Sequence, residues 1–86
     1  MIFIKKPEIM TSIDEISKDI AFLDVTGNSI FKGNEIIADI WKLLPASSNE
    51  LTFLLSSQYE ADAMELENTV QQGIGLLISY DLITAL

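Results

Sequence analysis

The fold is decided by residues 20–34, whose sequence is IAFLDVTGNSIFKGN. Its first part, Ile20 to Val25, is rich in β-branched and aromatic side chains, which favour a strand. Thr26-Gly27-Asn28 has the residues of a turn, because Gly27 and Asn28 both tolerate positive φ. Ser29 to Lys32 then reads as a short return strand, which Gly33 ends. The stretch therefore predicts an antiparallel hairpin.

One more strand precedes the hairpin, and a helix follows it. Ile9 to Ile13 is a short extended run, and the polar residues 14–19 separate it from the hairpin. Asn34 is a typical N-cap for the segment after the hairpin. Its apolar residues then recur at helical spacing until Pro45, which ends the helix. These are Ile36, Ile37, Ile40, Trp41, Leu43 and Leu44. Trp41 shares the apolar side with Ile37 and Leu44, which predicts a core position.

Two further helices complete the predicted order of elements. The second begins near Ser48, and because residue 51 is Leu, no complete capping box is expected there. The third begins at Asp62, and its apolar positions step by four and three residues along Leu66, Val70, Gly73, Leu77 and Tyr80. Leu82 and Ile83 are expected to fold back onto the core. Strands followed by helices predict an α+β class, a winged-helix-like domain with a three-stranded antiparallel sheet followed by three helices.

Length and composition restrict the chain to one small domain over residues 1–86. Hydrophobic residues make up 49% of it, and some of that surface is as well suited to a partner as to a core. No apolar run approaches the ~20 residues of a bilayer span, and no signal core follows the first lysines. Together with the absence of cysteine, these features favour the cytoplasm.

The net charge is −8, from 13 acidic and 5 basic residues. Binding to nucleic acid or to an anionic membrane requires clustered Lys and Arg, so neither partner is expected. The acidic field would attract a basic peptide or a basic protein face, although it serves solubility equally well.

No residue pattern indicates catalysis. The chain lacks histidine and cysteine, and therefore the commonest general base, the thiol nucleophile and the usual zinc ligands. Its neighbouring carboxylates, such as Glu65 and Glu67, lie in polar runs or near helix starts, where acids interact favourably with the helix dipole. We therefore expect no catalytic residue, no metal and no cofactor.

The hairpin and the third helix together suggest a binding site. If the strand from Ser29 to Lys32 lies at a sheet edge, its free backbone groups can pair with an extended peptide. The third helix would form the opposite wall. Gly73 and Gly75 in this helix either let a peptide or another helix approach closely, or pack tightly inside the domain beneath Trp41 or a strand.

Several of these residues resemble the PqqD-like recognition elements of pathways that modify ribosomally made peptides (RiPPs). The resemblance lies in Phe22-Leu23-Asp24, Thr26-Gly27-Asn28, Ser29-Ile30-Phe31, Asn34 and Ile40-Trp41-Lys42-Leu43-Leu44. It continues through Glu50-Leu51 to Gln58-Tyr59, and then through Thr69-Val70, Ile74, Leu77 and Leu82-Ile83. The resemblance extends over nearly the whole chain, from about Pro7 to Ile83. The sequence departs from the family at two positions. Gly73 stands where the family carries a large apolar residue, and Asp81 replaces a Gly.

The resemblance implies a peptide-binding module that is not an enzyme. Family members bind the leader of a precursor peptide as an added strand between the third strand and the third helix. Carried over by position, the contacts are Ser29, Ile30, Phe31 and Lys32 on the strand and Glu67, Val70, Gln71, Ile74 and Ile78 on the helix. The hairpin resembles the lasso-peptide type, which delivers the leader to a partner protease.

Other functions stay open at this point. One is a PqqD-type peptide chaperone for a radical SAM enzyme. Another is a structural or dimerising subunit, in which the exposed strand pairs with a second copy to form a homodimer. A winged-helix nucleic-acid binder fits the order of elements but conflicts with the charge of −8.

Overall fold

The computed structural model describes residues 1–86, which form five strands and three helices. In chain order these are β1 (Phe3–Lys5), β2 (Met10–Ile13), β3 (Ile20–Leu23), β4 (Ser29–Gly33), α1 (Glu35–Leu43), α2 (Ser48–Ser56), α3 (Ala63–Ser79) and β5 (Ile83–Ala85). Strands β2, β3 and β4 pair in that order as an antiparallel sheet. The predicted α+β class, with this three-stranded sheet followed by three helices, is confirmed. None of the helices has the length and apolar character needed to cross a bilayer.

The sequence predicted three strands and missed a second, two-stranded sheet. Strand β1 pairs antiparallel with β5, so that Phe3 lies opposite Ala85. The expectation that Leu82 and Ile83 fold back onto the core is confirmed, since both are buried, and Ile83 begins β5. Strands of three residues carry too little periodicity to be recognised, and no turn links segments about 80 residues apart in the chain.

A core of aliphatic and aromatic side chains joins the three-stranded sheet to the helices. Phe22 of β3 is fully buried, and its ring meets the edge of the Trp41 ring in α1 at a centroid distance of 4.9 Å. The predicted core position of Trp41 is thus confirmed. Burying a large apolar side chain stabilises a fold by about 1.5–3 kcal/mol, so such residues dominate the stability of a small domain. The remaining buried hydrophobic residues include Ile20, Ile37, Ile40, Leu51, Leu55, Leu66, Val70, Ile74 and Leu77.

Side-chain caps fix the starts of α1 and α2. Asn34 is the N-cap of α1 as predicted, and its side-chain oxygen accepts a hydrogen bond from the Ile37 N–H. The cap of α2 is Ser47, one residue earlier than expected. Its hydroxyl accepts from the Glu50 N–H, and the Glu50 carboxylate accepts from the Ser47 N–H. The prediction that α2 lacks a capping box was therefore wrong, because it took Ser48 as the cap in place of Ser47.

The turn between β3 and β4 is organised by Asp24. Its carboxylate accepts hydrogen bonds from the Thr26 hydroxyl, the Thr26 N–H and the Asn28 N–H. These bonds, those of the Thr26 hydroxyl and the Asn28 N–H foremost, hold the pKa of Asp24 below its ordinary value of 3.8. Gly27 has a φ of 86°, a conformation that glycine adopts without strain. The ionised Asp24 side chain therefore stabilises the hairpin that carries β4.

Helix α3 packs closely on α1 at one of its two glycines. A methyl group added at Gly73 would lie 2.8 Å from Cδ1 of Ile40 and 3.1 Å from Cδ1 of Ile37. A methyl group at Gly75 would meet nothing within 4 Å. Of the two interpretations offered for these glycines, tight internal packing applies to Gly73, although its neighbours are isoleucines of α1.

The turn from α3 into β5 passes through Asp81, which adopts a φ of 61°. This left-handed conformation disfavours residues with a Cβ atom. It accounts for the glycine that the resemblance leads us to expect at this position. The Asp81 carboxylate also pairs with the Lys6 ammonium, which ties the turn to the chain just after β1.

We expect Asp24→Asn to destabilise the protein at neutral pH, because it removes a charge that the turn stabilises. Since folding lowers the pKa of Asp24, the stabilisation is present above pH 3.8 and is lost as the pH falls through the folded-state pKa. Urea unfolding of the variant and the native protein should therefore differ at pH 7, and the difference should be smaller at a second pH well below 3.8. Asp19→Asn changes the net charge equally at a side chain that accepts no hydrogen bond. Equal effects of the two substitutions at both pH values would contradict the assignment.

Replacing Gly75 by Ala should raise the free energy of unfolding by roughly 1 kcal/mol, because alanine is the better helix former and its methyl group meets open space. Gly73→Ala is the matched control, since its methyl group would collide with Ile40 and offset the gain. Chemical denaturation of both variants measures the difference. A larger gain for Gly73→Ala would contradict the packing described for α3.

Candidate functional site

Strand β4 is an outer strand of the three-stranded sheet and is paired only with β3. No hydrogen bond of a turn, loop or cap involves a backbone atom of Ser29–Gly33, and no side chain bonds to that backbone. The edge of β4 that faces away from β3 therefore presents unpaired N–H and C=O groups, which can pair with another extended chain. Strand β2 is the other outer strand of this sheet.

What distinguishes β4 from β2 is an aromatic contact with the end of α3. The Phe31 ring of β4 stacks on the Tyr80 ring at a centroid distance of 4.4 Å and an interplanar angle of 22°. Phe31 also stacks on Phe22, with centroids 6.0 Å apart, and Phe22 meets Trp41. A continuous row of four rings therefore runs from the C-terminus of α3 across the sheet to α1.

At the other end of β4, the side chain of Ile37 separates the strand from α3. A methyl group at Gly33 would lie 2.6 Å from Cγ2 of Ile37, and one at Gly73 would lie 3.1 Å from Cδ1 of the same residue. Ile37 thus contacts the last residue of β4 and the middle of α3 together. The missing Cβ atoms of the two glycines let both elements approach this side chain.

These contacts define the side of α3 that faces β4. Thr69, Gly73, Leu76 and Tyr80 follow one another at intervals of four, three and four residues, which places them on one side of the helix. We call these four residues the cleft stripe. Leu76 and Tyr80 are 43% and 44% exposed, and Thr69 is half-buried. The stripe lies within residues 68–80, which contain no charged side chain. An apolar, uncharged wall therefore stands beside the open edge of β4.

The predicted strand residues lie where the sequence placed them. Ser29 and Lys32 are exposed, and Ile30 and Phe31 are half-buried against the core. A bulge in the pairing with β3 lies between Leu23 and Phe22, whose partners are Ser29 and Phe31, so Ile30 is the extra residue. Lys32 pairs with Ala21 and alternates with Phe31, so its side chain projects from the sheet face opposite the helices.

The predicted helix residues are less well placed for contact with a ligand on β4. Val70 and Ile74 are buried in the core, so in this conformation they support the wall from beneath. Glu67, Gln71 and Ile78 are exposed, but each is two residues from a member of the cleft stripe. Two residues correspond to a rotation of about 160° around a helix of 3.6 residues per turn. These three side chains therefore project from nearly the opposite side of α3.

Sequence reasoning missed Thr69, Leu76 and Tyr80 as candidates for the wall. The sequence pattern places Tyr80 among the apolar positions of the third helix and Thr69 within the family resemblance, but it marks neither of them, nor Leu76, as part of a peptide-binding wall. The available signal was Gly73, because a helical glycine that packs against a neighbour marks the side on which the helix comes close to another element.

The chemistry available at this site is recognition by backbone pairing and apolar contact. No group of three or more acidic residues that could hold a metal ion occurs in the structure. The space between β4 and α3 is shallow, because Phe31 and Tyr80 are in contact across it. The cavity that the structure does contain, of about 320 Å³, lies on α2 and is lined by Asn49, Glu50, Phe53 and Leu54.

Comparison with solved structures shows the same fold in two proteins described with a peptide bound. TbiB1 in complex with the TbiA(β) leader peptide has a TM-score of 0.79 and 16% sequence identity, with 96% of each chain covered. Lasso peptide synthetase B1 complexed with the leader peptide has a TM-score of 0.76 and 21% identity, covering 96% of this chain and 98% of that one. No curated protein sequence matches the chain.

The family comparison extends over most of the fold, from just before β3 to the start of β5. The family model described as coenzyme PQQ synthesis protein D (PqqD) matches residues 19–83. This region includes the β3–β4 hairpin, all three helices and the turn into β5. The expected resemblance to PqqD-like proteins is confirmed: the chain belongs to the PqqD family.

Proposed function

We propose that this protein binds the leader segment of a ribosomally made precursor peptide as an added strand on β4. The observation that carries the proposal is the open edge of β4 beside the uncharged cleft stripe of α3. The leader peptides named in the two similar structures support the same ligand class. Adding a strand requires no chemistry from the chain itself, so we propose a binding protein without catalytic activity that acts in the cytoplasm.

The proposed affinity follows from the number of groups that the leader would engage. Each new backbone hydrogen bond contributes about 0.5–1.5 kcal/mol net, and one apolar side chain buried against Leu76 and Tyr80 adds ~1.5–3 kcal/mol. Ordering a flexible peptide offsets part of this free energy. The balance corresponds to a dissociation constant from about micromolar to tens of nanomolar.

The captured leader would be presented to an enzyme that acts on the precursor. We favour a leader peptidase of a lasso-peptide pathway, because both similar structures contain a leader peptide and one of them is a lasso peptide synthetase B1. The PqqD family match supports a second candidate, in which the chain is a peptide chaperone for a radical SAM enzyme. The two differ in the enzyme that receives the leader and share the peptide site.

The primary test is a titration with the leader of the precursor peptide encoded beside the gene for this chain. Fluorescence anisotropy of the labelled synthetic leader should saturate with a dissociation constant between about 10 nM and about 1 µM. A scrambled leader of the same composition is the control. The absence of saturation up to about 100 µM protein would refute the proposed function.

Light scattering of the free protein tests the homodimer alternative, in which a second copy covers the edge of β4.

A matched pair of substitutions tests which side of α3 contacts the leader. Leu76 and Ile78 have nearly equal exposure, 43% and 46%, but only Leu76 belongs to the cleft stripe. Leu76→Asp should weaken leader binding by about tenfold or more, because it places a charge in an apolar contact. Ile78→Asp should change the affinity less than about twofold, since exposed sites outside an interface contribute little. The reverse result would show that the leader contacts Glu67, Gln71 and Ile78, as the family resemblance implied.

A further inference from the structure

A second surface, on α2, has features that the leader site does not explain. Phe53 is 76% exposed and is two residues from each of the buried side chains Leu51 and Leu55. It therefore projects from nearly the opposite side of α2, away from the core. Its neighbour Leu54 is 40% exposed, and both residues line the 320 Å³ cavity with Asn49 and Glu50. We call these four residues the Phe53 patch.

The Phe53 side chain of the patch makes no evident contribution to the fold. An aromatic ring that remains in water gains no burial free energy, and it lowers solubility. The capping box of α2 depends on Ser47 and Glu50, and its core contacts depend on Leu51 and Leu55. An exposed aromatic side chain beside a depression is instead typical of the anchor of a protein–protein interface.

The distribution of charge indicates what the patch would bind. All five lysines lie in residues 1–42. That segment also contains seven acids, so its net charge is −2. Residues 43–86 contain six acids and no base, a net charge of −6. Five of those acids lie in or between α2 and α3: Glu50, Glu60, Asp62, Glu65 and Glu67. The apolar patch thus includes one acid, Glu50, and belongs to the most acidic part of the sequence, so its complement is an apolar pocket framed by Lys and Arg.

A second copy of this chain does not meet that requirement. A symmetric contact would place each Phe53 patch against its own counterpart, because both copies use the same surface. Glu50 of one patch would then lie close to Glu50 of the other, and like charges oppose association. The leader would occupy β4 and the cleft stripe, whereas α2 packs on α1 and α3. The Phe53 patch is therefore free for a partner other than the leader.

We propose that the Phe53 patch is the docking surface for the enzyme that acts on the leader, and that this enzyme presents an apolar pocket with a basic rim. The inference rests on the proposed function, because the enzyme is the partner that leader capture requires. Because the enzyme would dock on α2, the edge of β4 would stay available to the leader. The domain could then hold the enzyme and the leader at the same time.

The test measures two affinities on the same variants. The enzyme probe is the purified processing enzyme encoded with the precursor, and the peptide probe is the labelled synthetic leader. Phe53→Ala should weaken enzyme binding by about tenfold or more, as expected for the anchor of an interface. Ile16→Ala is the matched control, since Ile16 is 94% exposed in the β2–β3 turn. It should change enzyme binding less than about twofold, and neither substitution should alter leader binding.

Ionic strength tests the charge component of the proposal. Raising the salt concentration from about 50 to about 300 mM should weaken the enzyme complex, because it screens the acidic surface from the basic rim. Enzyme binding that does not respond to salt would overturn the proposed basic rim. Equal effects of Phe53→Ala and Ile16→Ala on the enzyme would overturn the docking surface.

The remaining outcomes separate this proposal from the function on which it rests. Saturable leader binding without any enzyme binding would overturn the docking surface and leave leader capture intact. Enzyme binding that depends on Phe53, without leader binding, would refute leader capture and support the docking surface. Loss of leader binding in Phe53→Ala, with far-UV circular dichroism unchanged, would place the peptide on α2 and overturn the assignment to an enzyme.

Discussion

The contact of Ile37 with two glycines sets the geometry on which the rest of the structure depends. Its side chain lies against Gly33 at the end of β4 and against Gly73 in the middle of α3. A Cβ atom at either glycine would force the strand or the helix outwards, since packed interiors leave no room for an added methyl group. This packing holds β4 and α3 on either side of Ile37. The stacking of Tyr80 on Phe31 then brings the last turn of α3 to the open edge.

The aromatic row extends the same constraint along the cleft. Phe22 is buried and anchors the row on Trp41, whereas Phe31 and Tyr80 are partly exposed where the row reaches the open edge. A ligand that adds a strand to β4 would therefore meet a surface whose position is held by the core. The Asp24 turn and the Asn34 cap hold the two ends of β4, so little reorganisation is needed in the strand itself.

Charge separates two surfaces of a very small domain. The C-terminal part of α3 and its cap, residues 68–80, has no charged side chain. Such a surface suits apolar contact with a peptide that pairs with β4. The rest of residues 43–86 carries acids without any base. Because exposed charges act beyond contact distance at moderate ionic strength, this acidity would act on the rate and selectivity of docking more than on the stability of the fold.

The sequence by itself determined the hairpin, the three helices, the Asn34 cap and the return of Leu82 and Ile83 to the core. These features depend on neighbours in the chain, such as alternation, helical spacing and turn residues, and such signals can be read locally. Membership of the PqqD family was predicted from the same segments. The same local signals predicted the strand at residues 29–32, whereas its position at the edge of the sheet follows from the pairing order β2, β3, β4.

Only the tertiary structure decided the pairing of β1 with β5 and the side of α3 that faces β4. Helical periodicity shows that Thr69, Gly73, Leu76 and Tyr80 share one side, and equally that Glu67, Gln71, Ile74 and Ile78 share another. It does not show which side meets the strand, because that depends on contacts between elements, such as Gly73 with Ile37 and Ile40 and Tyr80 with Phe31. Contacts between residues far apart in the chain made both decisions.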